Sequence, residues 1–440
     1  MAKQETAAGP MPGFRDMLAE QMLPRQQMLD TIRGVYERHG FVPLDTPAVE
    51  RLETLTGKYG DEGESLMYKF QDHGGRPIAL RYDLTVPLAR VVGQHRAELT
   101  LPYKRYQVGS VWRGESPQKG RYREFLQFDA DTVGTTSPIA DAEIVAMMSD
   151  AMTALGAEAV VHVNNRLLLD ALVAASGVTD EKDVRYMVTT IDKLPKIGLE
   201  NVVLTVKDIG GKKASELVEK FLTVEGSVQE RLQEIGNILG KSEAAEKGIA
   251  NLSQVFTILQ EAGFGEDKVV LDQSIARGLN YYTGVIYETV LNDLPGIGSV
   301  CSGGRYDNLV EALGGPSLPA VGTSIGVDRL FEGLKQLGKL DVVHTKSVVM
   351  IANFDNQDAS HYMKLATQLR RAGIATEVHY DPDKLGKQLA FADKRGIPYV
   401  VLMGEDELKR GVVKVKNILT REQTECTEQE LIDMLTGGTK

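Results

Sequence analysis

The sequence predicts an α+β fold built on an antiparallel sheet, followed by a smaller α/β module. Two β-hairpin patterns predict the antiparallel sheet, and a change to alternating strand and helix patterns predicts the second module. Residues 66–82 hold two short strand patterns around a His-Gly-Gly turn, and residues 104–133 hold two longer ones around a polar loop. Hairpin-linked strands are typical of antiparallel sheets, whose helices lie on one face. From Asp341 onward strand and helix patterns alternate, which indicates a separate α/β module over 341–440.

The first domain, residues 1–340, is expected to begin with a helix. Apolar residues at spacings of three and four predict that helix over 24–39, and a strand over 41–45 follows. Antiparallel strands then accumulate with no helix predicted between them. Over about 180–258 the sequence becomes charged, lysine-rich and helical in pattern, which indicates an inserted helical subdomain.

Beyond the insertion, two segments are predicted to be neighbouring strands that line one cavity. The first runs from Arg277 to Glu288 and the second from Cys301 to Asp307. A small-residue segment from Gly322 then leads into a helix that continues to about Leu337. In the last hundred residues the alternating elements are expected at 348–353, 359–372, 375–380, 385–394 and 399–403.

Length, composition and charge limit the class of protein. A chain of 440 residues with 42% hydrophobic and 25% charged content is globular and too long for one core, so two or three domains are expected. The net charge of −11 argues against a nonspecific nucleic-acid coat, which needs a basic surface. The last hundred residues carry 14 Lys/Arg against 15 Asp/Glu, a net charge of −1. The charge of this module therefore opposes the binding of RNA phosphates less than that of the rest of the chain.

Cysteine and histidine usage favours a reducing compartment without structural zinc. Cys301 and Cys426 are too few and too far apart for a disulfide framework or a cysteine-rich zinc site. The seven histidines show no metal-binding spacing. The N-terminal residues lack the apolar core of a secretion signal, and no apolar run approaches the length of a membrane span, so we expect a cytoplasmic protein without a membrane partner.

The segment that begins at Arg277 is the most informative one. Its arginine precedes two adjacent tyrosines, Tyr281 and Tyr282, which suits an anion site beside an aromatic pocket. In an extended strand the two tyrosines would point to opposite faces, so at most one ring is expected to line the cavity. Gly303 and Gly304 allow either a close approach of a ligand to the backbone or a bulge.

A second group of candidates flanks the loop of the longer hairpin. Arg113 and Glu115 precede the loop, and Arg121 and Phe125 follow it. A guanidinium binds phosphate oxygens in a planar, bidentate way, and a phenyl ring stacks on a nucleobase. The alternative is a solvated hairpin tip whose glutamates pair with the arginines.

Further polar candidates also allow two interpretations. Asp83 and Thr85 suit either an ammonium group or a helix cap, and Arg329 suits either a phosphate or a structural role at a helix start. Gln127 and Asp131 share one strand face with Asp129, which suits either a pocket or a polar surface.

Taken in this order, the segments resemble a class II aminoacyl-tRNA synthetase over nearly the whole chain. Residues 41–47 resemble the first class motif, residues 113–131 the second and residues 322–329 the third. The runs Arg-Gly-Leu-Asn-Tyr-Tyr, from Arg277, and Gly-Gly-Arg-Tyr-Asp, from Gly303, resemble the two signatures of the histidyl-tRNA synthetase family.

The resemblance implies roles for individual residues. Arg113 and Arg277 are the implied catalytic residues, at the α-phosphate. The implied histidine-binding residues are Asp83, Leu84, Thr85, Arg113, Gln127, Asp131, Arg277, Tyr281, Tyr282 and Tyr306. The implied ATP-binding residues are Arg113, Glu115, Arg121, Phe125 and Arg329.

The resemblance also implies substrates and partners. ATP with Mg²⁺, L-histidine and histidine tRNA would be the substrates, with the Mg²⁺ ligands left open. The chain would form a homodimer through the first motif, and the C-terminal module would bind the anticodon. One departure is visible, because Asn280 stands where the family signature usually has aspartate.

Two alternatives belong to the same superfamily. A noncatalytic regulatory subunit of ATP phosphoribosyltransferase binds histidine without charging tRNA, but it lacks the C-terminal module and tends to lose the catalytic arginines. A class II synthetase for threonine, proline or glycine would share the architecture without the two tyrosine-bearing signatures.

Overall fold

The computed structural model describes residues 9–117, 120–276, 281–341 and 343–437. The chain divides into two compact units. The first contains the residues up to Asp16 and Met28–Lys339, and the second contains Met17–Gln27 and Leu340–Lys440.

Helices and strands are numbered in chain order. The helices are α1 (Ala19–Arg38), α2 (Leu52–Leu55), α3 (Gly60–Ser65), α4 (Thr85–Gln94), α5 (Pro138–Ala154), α6 (Arg166–Ser176), α7 (Glu181–Ile191), α8 (Leu194–Leu222), α9 (Val228–Leu239), α10 (Glu243–Glu261), α11 (Val327–Gln336), α12 (Ala359–Arg371), α13 (Leu385–Arg395), α14 (Glu405–Arg410) and α15 (Glu428–Gly437). The strands are β1 (Val42–Pro43), β2 (Val49–Arg51), β3 (Lys69–Gln71), β4 (Pro77–Leu80), β5 (Tyr103–Trp112), β6 (Glu124–Val133), β7 (Ala159–Asn165), β8 (Val269–Leu271), β9 (Val285–Leu291), β10 (Cys301–Arg305), β11 (Ala320–Gly326), β12 (Val349–Ile351), β13 (Thr376–Val378), β14 (Tyr399–Leu402), β15 (Val413–Asn417) and β16 (Gln423–Cys426).

An eight-stranded sheet dominates the described part of the first unit. Its strand order is β1-β5-β6-β11-β10-β9-β7-β8. The pairs from β5 to β7 are antiparallel, whereas β1 and β8 join the two edges in parallel. The predicted pairing of the long hairpin strands, β5 with β6, is confirmed, and so is the pairing of β9 with β10.

The short hairpin strands β3 and β4 also pair as predicted, in a separate small sheet with β2. The predicted length of the strand over 41–45 is wrong, because only Val42–Pro43 pair with β5.

The α+β class is confirmed, but the expectation of strands without intervening helices is wrong. Helix α4 separates β4 from β5, and α5 separates β6 from β7. Burial in α5 is not confined to one face, because the consecutive residues Ala140, Asp141 and Ala142 are all buried. A helix buried on most sides carries no polar stripe, and its periodicity therefore gives no helical signal.

The inserted helices are α7–α10, close to the range expected from composition. Asp180, Ser227 and Ser242 cap the N-termini of α7, α9 and α10. The long α8 is interrupted at Gly198 and Gly211, whose φ angles are 79° and 74°, a conformation that other residues rarely adopt.

The second unit is an α/β module with the five-stranded sheet order β13-β12-β14-β15-β16 among its described residues. The central strands are parallel and flanked by α12 and α13 in sequence, as the alternating pattern predicts. Strands β15 and β16, which form an antiparallel edge, were not expected. Within the part of the chain that the structure covers, no helix is both long and apolar enough to cross a membrane.

Candidate active site

The central strands of the large sheet carry a cavity of about 1010 Å³ on one face. Strands β6, β11 and β10 are adjacent in the sheet and contribute polar side chains and glycines to it. The helical insertion contributes as well, through residues such as Arg185 and Thr189 of α7. The cavity is therefore built from segments that are far apart in sequence.

Nearly all of the residues singled out from the sequence line this cavity. They are Asp83, Thr85, Arg113, Glu115, Arg121, Phe125, Gln127, Asp131, Tyr281, Tyr282, Tyr306 and Arg329. Leu84 is fully buried, and it is absent from the cavity lining; its carbonyl accepts a hydrogen bond from Arg105 at 3.2 Å. Arg277 and Asn280 lie outside the described residues.

Asp131 is held from two sides at the base of the cavity. The Tyr306 hydroxyl donates to its Oδ1, and Nη2 of Arg105 lies 2.7 Å from its Oδ2. Arg105 is fully buried. Burial raises the pKa of Asp131, while Arg105 and the Tyr306 hydroxyl oppose that rise. These contacts fix the orientation of the Asp131 carboxylate, and the Arg105 guanidinium balances its negative charge.

Two glycines make room for this arrangement. A Cβ on Gly322 would lie 1.8 Å from Oδ1 of Asp131, and a Cβ on Gly304 would lie 3.0 Å from the Tyr282 ring. Gly322 lines the cavity, whereas the missing side chain of Gly304 leaves room for the Tyr282 ring and for the Val285 carbonyl, which would lie 2.5 Å from a Cβ there. Any side chain at Gly322 would displace Asp131.

Tyr281 and Tyr282 both line the cavity, which corrects the expectation that at most one would. They precede β9 instead of lying in it, so strand alternation does not apply. Their ring centroids are 5.0 Å apart, and Tyr281 lies 5.8 Å from the Tyr306 ring. The three edge-to-face rings form one aromatic wall.

Gln127 faces the same cavity from β6. Its Nε2 donates to Oγ of Ser324 on the neighbouring β11 at 2.8 Å. Its Oε1 is buried and has no hydrogen-bond partner within the described ranges. Because a buried amide oxygen without a partner is costly, it is suited to accept a hydrogen bond from a ligand.

Asp83 lies both at the start of α4 and at the cavity, so its position is compatible with either interpretation of the sequence. It accepts a hydrogen bond from the amide of Val86 at 3.0 Å, which helps to cap α4, and it lines the cavity. It also accepts one from the Tyr59 hydroxyl at 2.9 Å. Tyr59 is a cavity residue that sequence reasoning missed. It lies in an irregular segment 24 residues before Asp83, where no periodic pattern marks it.

Asp129 shares the strand face of Gln127 and Asp131, but it is only 1% exposed and does not line the cavity. Burial raises its pKa to about 7, with Arg105 opposing and Asp131 adding to the shift. Burial likewise raises the pKa of the Cys301 thiol to about 12, so this cavity-lining cysteine is a thiol at neutral pH.

Arg113 lies between two aromatic rings on the other side of the cavity. Its Cζ is 4.3 Å from the Tyr82 ring centroid and 5.1 Å from that of Phe125. Its Nε donates to the Tyr82 carbonyl at 3.2 Å. These contacts restrain the orientation of the guanidinium, and Arg113 lines the cavity.

Two more cations complete that side. Arg121 pairs with Glu115 at 3.0 Å, so the ion-paired hairpin tip considered from the sequence exists, with both residues at the cavity. Arg329, in the first turn of α11, donates to the Ser299 carbonyl at 2.7 Å. Three arginines at one end of a cavity suit a polyphosphate.

No group of three or more His, Cys, Asp or Glu side chains able to hold a metal ion occurs among the residues with described positions. Mg²⁺ usually keeps several waters and binds through one or two carboxylates together with substrate phosphates.

Comparisons with known proteins agree with this geometry. A family model described as histidyl-tRNA synthetase matches residues 13–330, and one described as an anticodon binding domain matches residues 346–437. The histidine–tRNA ligase of Rhodopirellula baltica is 44% identical over 415 residues, which cover 94% of this chain and 93% of that relative.

Solved structures resemble most or nearly all of the chain. The crystal structure of histidyl-tRNA synthetase from Nostoc sp. PCC 7120 gives a TM-score of 0.88 at 34% identity, covering 99% of this chain and 100% of that one. A Bacillus halodurans C structure, described as an ATP phosphoribosyltransferase regulatory subunit/histidyl-tRNA synthetase, shares the fold with a TM-score of 0.74 at 22% identity, covering 88% and 97%.

Proposed function

Because this chain belongs to the histidyl-tRNA synthetase family, we propose that its cavity activates L-histidine with ATP and transfers the histidyl group to the 3′ end of histidine tRNA. The activity is that of a histidine–tRNA ligase, a class II aminoacyl-tRNA synthetase. One observation carries the assignment to this cavity: residues of the second and third class motifs and of both tyrosine-bearing signatures line it together.

L-histidine is proposed to bind at the end formed by Asp131, Gln127 and the three tyrosines. Asp131 and the free Oε1 of Gln127 would accept hydrogen bonds from the imidazole and ammonium groups, and Asp83 and Thr85 would contribute from the side. An amino acid without those donors would leave buried acceptors unpaired, which is a strong form of discrimination. Leu84 would act only through its backbone, since its side chain is buried away from the cavity lining.

ATP is proposed to bind at the arginine end, as its Mg²⁺ complex. Phe125 would stack on the adenine, Glu115 would accept from its amino group, and Arg121 and Arg329 would bind the outer phosphates. The ion pair between Arg121 and Glu115 would then open, since both side chains are needed by the nucleotide.

Activation is proposed to proceed by in-line attack of the histidine carboxylate on the α-phosphorus, with pyrophosphate as the leaving group. Both reactants are anionic, so the protein must align them and offset the charge on the α-phosphate oxygens. Arg113 is suited to this because its ring contacts fix its orientation before the substrates arrive. By resemblance we assign Arg277 to the same phosphate.

In the transfer step, a hydroxyl of the terminal tRNA ribose is proposed to attack the histidyl carbonyl. The new ester C–O bond forms, the bond to the phosphate breaks, and AMP leaves. A phosphate oxygen of the adenylate is proposed to accept the hydroxyl proton, so no protein side chain need act as the base.

Residues 1–340 are proposed to form the catalytic domain and residues 341–440 the domain that binds the anticodon. Exposed aromatic and basic side chains support the second assignment. Tyr380 is 90% exposed, and Lys384, Lys387, Lys394 and Arg395 follow it. Unpaired bases can stack on such rings while lysines contact phosphates.

We also propose a homodimer and a cytoplasmic location. Val42, in the segment that resembles the first class motif, and Val49, two residues beyond it, are 48% and 39% exposed, and apolar side chains there suit a subunit interface. The two free cysteines suit a reducing compartment. Light scattering during gel filtration would test the dimer, and a single-chain mass would exclude it.

The regulatory-subunit alternative is less well supported. Full-length relatives near 40% identity are histidine–tRNA ligases. The likeness to the Bacillus halodurans structure, at 22% identity, concerns the fold alone.

The deciding experiment is histidine-dependent exchange of pyrophosphate into ATP, followed by charging of a histidine tRNA transcript. Threonine, proline and glycine serve as control amino acids. We expect exchange with histidine only and charging of histidine tRNA. Tight histidine binding without exchange would favour the regulatory alternative, and exchange with a control amino acid would reassign the pocket.

A further inference from the structure

Arg305 precedes Tyr306 on β10, and its side chain is buried, with the whole residue 6% exposed. Its Nε and Nη2 donate to Oδ1 of Asp141 at 2.9 and 2.7 Å, and its Nη1 donates to the Thr135 carbonyl at 2.9 Å. The guanidinium therefore ties the signature strand to helix α5. None of these contacts involves a residue of the proposed substrate pocket.

The same carboxylate reaches the helical insertion. Asp141 is fully buried, and its Oδ2 accepts a hydrogen bond from Nδ2 of Asn251 on α10 at 3.1 Å. Oδ1 of Asn251 accepts in turn from Nδ2 of Asn165, at the end of β7, at 2.9 Å. A series of hydrogen bonds between polar side chains, part-buried at Asn251 and buried at Asp141 and Arg305, thus connects the last insertion helix to β10.

Arg305 also holds the segment that follows the two tyrosines. Its carbonyl accepts the amide of Thr283 at 2.8 Å. A Cβ on Gly284 would lie 3.0 Å from Cδ of Arg305, so the backbone there rests against the arginine stem. The position of Arg305 therefore limits where Tyr281 and Tyr282 can lie, because Thr283 directly follows Tyr282.

We propose that Asp141 and Asn251 are positioning residues for histidine binding, which act through Arg305 to hold the aromatic wall in place against the helical insertion. The inference rests on the proposed function, since it assigns these rings to histidine. Removing the amide of Asn251 leaves a buried carboxylate oxygen without its donor and loosens the arginine that the other oxygen holds.

The test compares Asn251→Ala with Ser253→Ala in the full-length protein. Ser253 lies on the same helix, and its hydroxyl donates to Oε1 of Gln229 at 3.2 Å, a bond internal to the insertion. The histidine Kd is measured by calorimetry, the KM and kcat by pyrophosphate exchange, and the Tm by calorimetric melting. We expect Asn251→Ala to raise the Kd and KM for histidine about tenfold. The kcat and the KM for ATP should not change, as expected when ground-state binding alone is lost.

A double-mutant cycle identifies the route. Asp141→Asn alone should weaken histidine binding. Adding Asn251→Ala to it should have little further effect, since both substitutions disrupt the same series of hydrogen bonds. An unchanged histidine Kd in Asn251→Ala, with or without a lower Tm, would overturn the inference, and so would an equal effect of Ser253→Ala. If Asn251→Ala does not fold, Asn251→Ser is judged by the same criterion. A wild-type protein that binds histidine without exchange contradicts the proposed function alone, and the Kd comparison still decides this proposal.

Discussion

Gly322→Ala should selectively damage histidine binding. The new Cβ would lie 1.8 Å from Oδ1 and 2.4 Å from Cγ of Asp131, whereas real Cβ contacts essentially never fall below 3.0 Å. The carboxylate must therefore turn away and lose both the Tyr306 hydroxyl and Arg105. Loss of one hydrogen bond between a charged group and histidine corresponds to about 1.5–3 kcal/mol, or roughly a 10- to 150-fold increase in the KM for histidine.

Pyrophosphate exchange at varied histidine and varied ATP concentrations measures this effect. The KM for ATP should change little, because the residues proposed for the nucleotide lie at the other end of the cavity. Gly326→Ala is the matched control on the same strand and face, since its Cβ would meet only Val300 and Arg329 atoms at 3.8 and 3.9 Å. An unchanged histidine KM in Gly322→Ala, or equal losses in the two variants, would refute the reasoning.

Three other perturbations address charge, stability and tRNA. Arg113→Gln is expected to lower kcat for exchange by about 10²–10³, with a smaller change in histidine Kd; equal losses in both would mean that Arg113 mainly builds the pocket. Asp129→Asn is expected to raise the Tm most above pH 7, because the folded pKa of about 7 exceeds the ordinary value of 3.8 and ionisation therefore destabilises the folded state. This advantage should shrink as the pH falls toward 3.8, and a Tm difference independent of pH would contradict it. Tyr380→Ala is expected to raise the KM for tRNA by roughly 5- to 150-fold, the equivalent of one stacked base, and a matching loss in exchange without tRNA would argue against an anticodon role.

Hairpins were predictable because their signals are local. The long strands β5 and β6 are separated by a polar loop, and each carries enough residues to show a strand pattern. The chemistry of the motif residues around that loop suited either a nucleotide site or an ion-paired hairpin tip, and the structure places the Arg121–Glu115 ion pair at the cavity. Helix α5 was not predictable, since burial on most of its surface removes the polar stripe that marks a helix.

The site itself depended on contacts that a sequence does not display. Tyr59 reaches Asp83 through tertiary packing alone, so no spacing rule finds it. The orientations of Tyr281 and Tyr282 were predicted incorrectly because strand alternation was applied to residues that precede β9, which begins at Val285. The role of Gly322 required the register of β11 against β6, which pairs it with Asp131.

The placement of β11 between β6 and β10 has a consequence for synthesis on the ribosome. Strand β6 ends at Val133, and its neighbour begins at Ala320, 187 residues later. At ordinary elongation rates the ribosome needs roughly ten to forty seconds to make that stretch. During this interval one edge of β6 lacks its native neighbour, and unpaired edges promote association between chains. Nascent chains stalled before Ala320 should therefore depend on chaperones more than chains released a few dozen residues later.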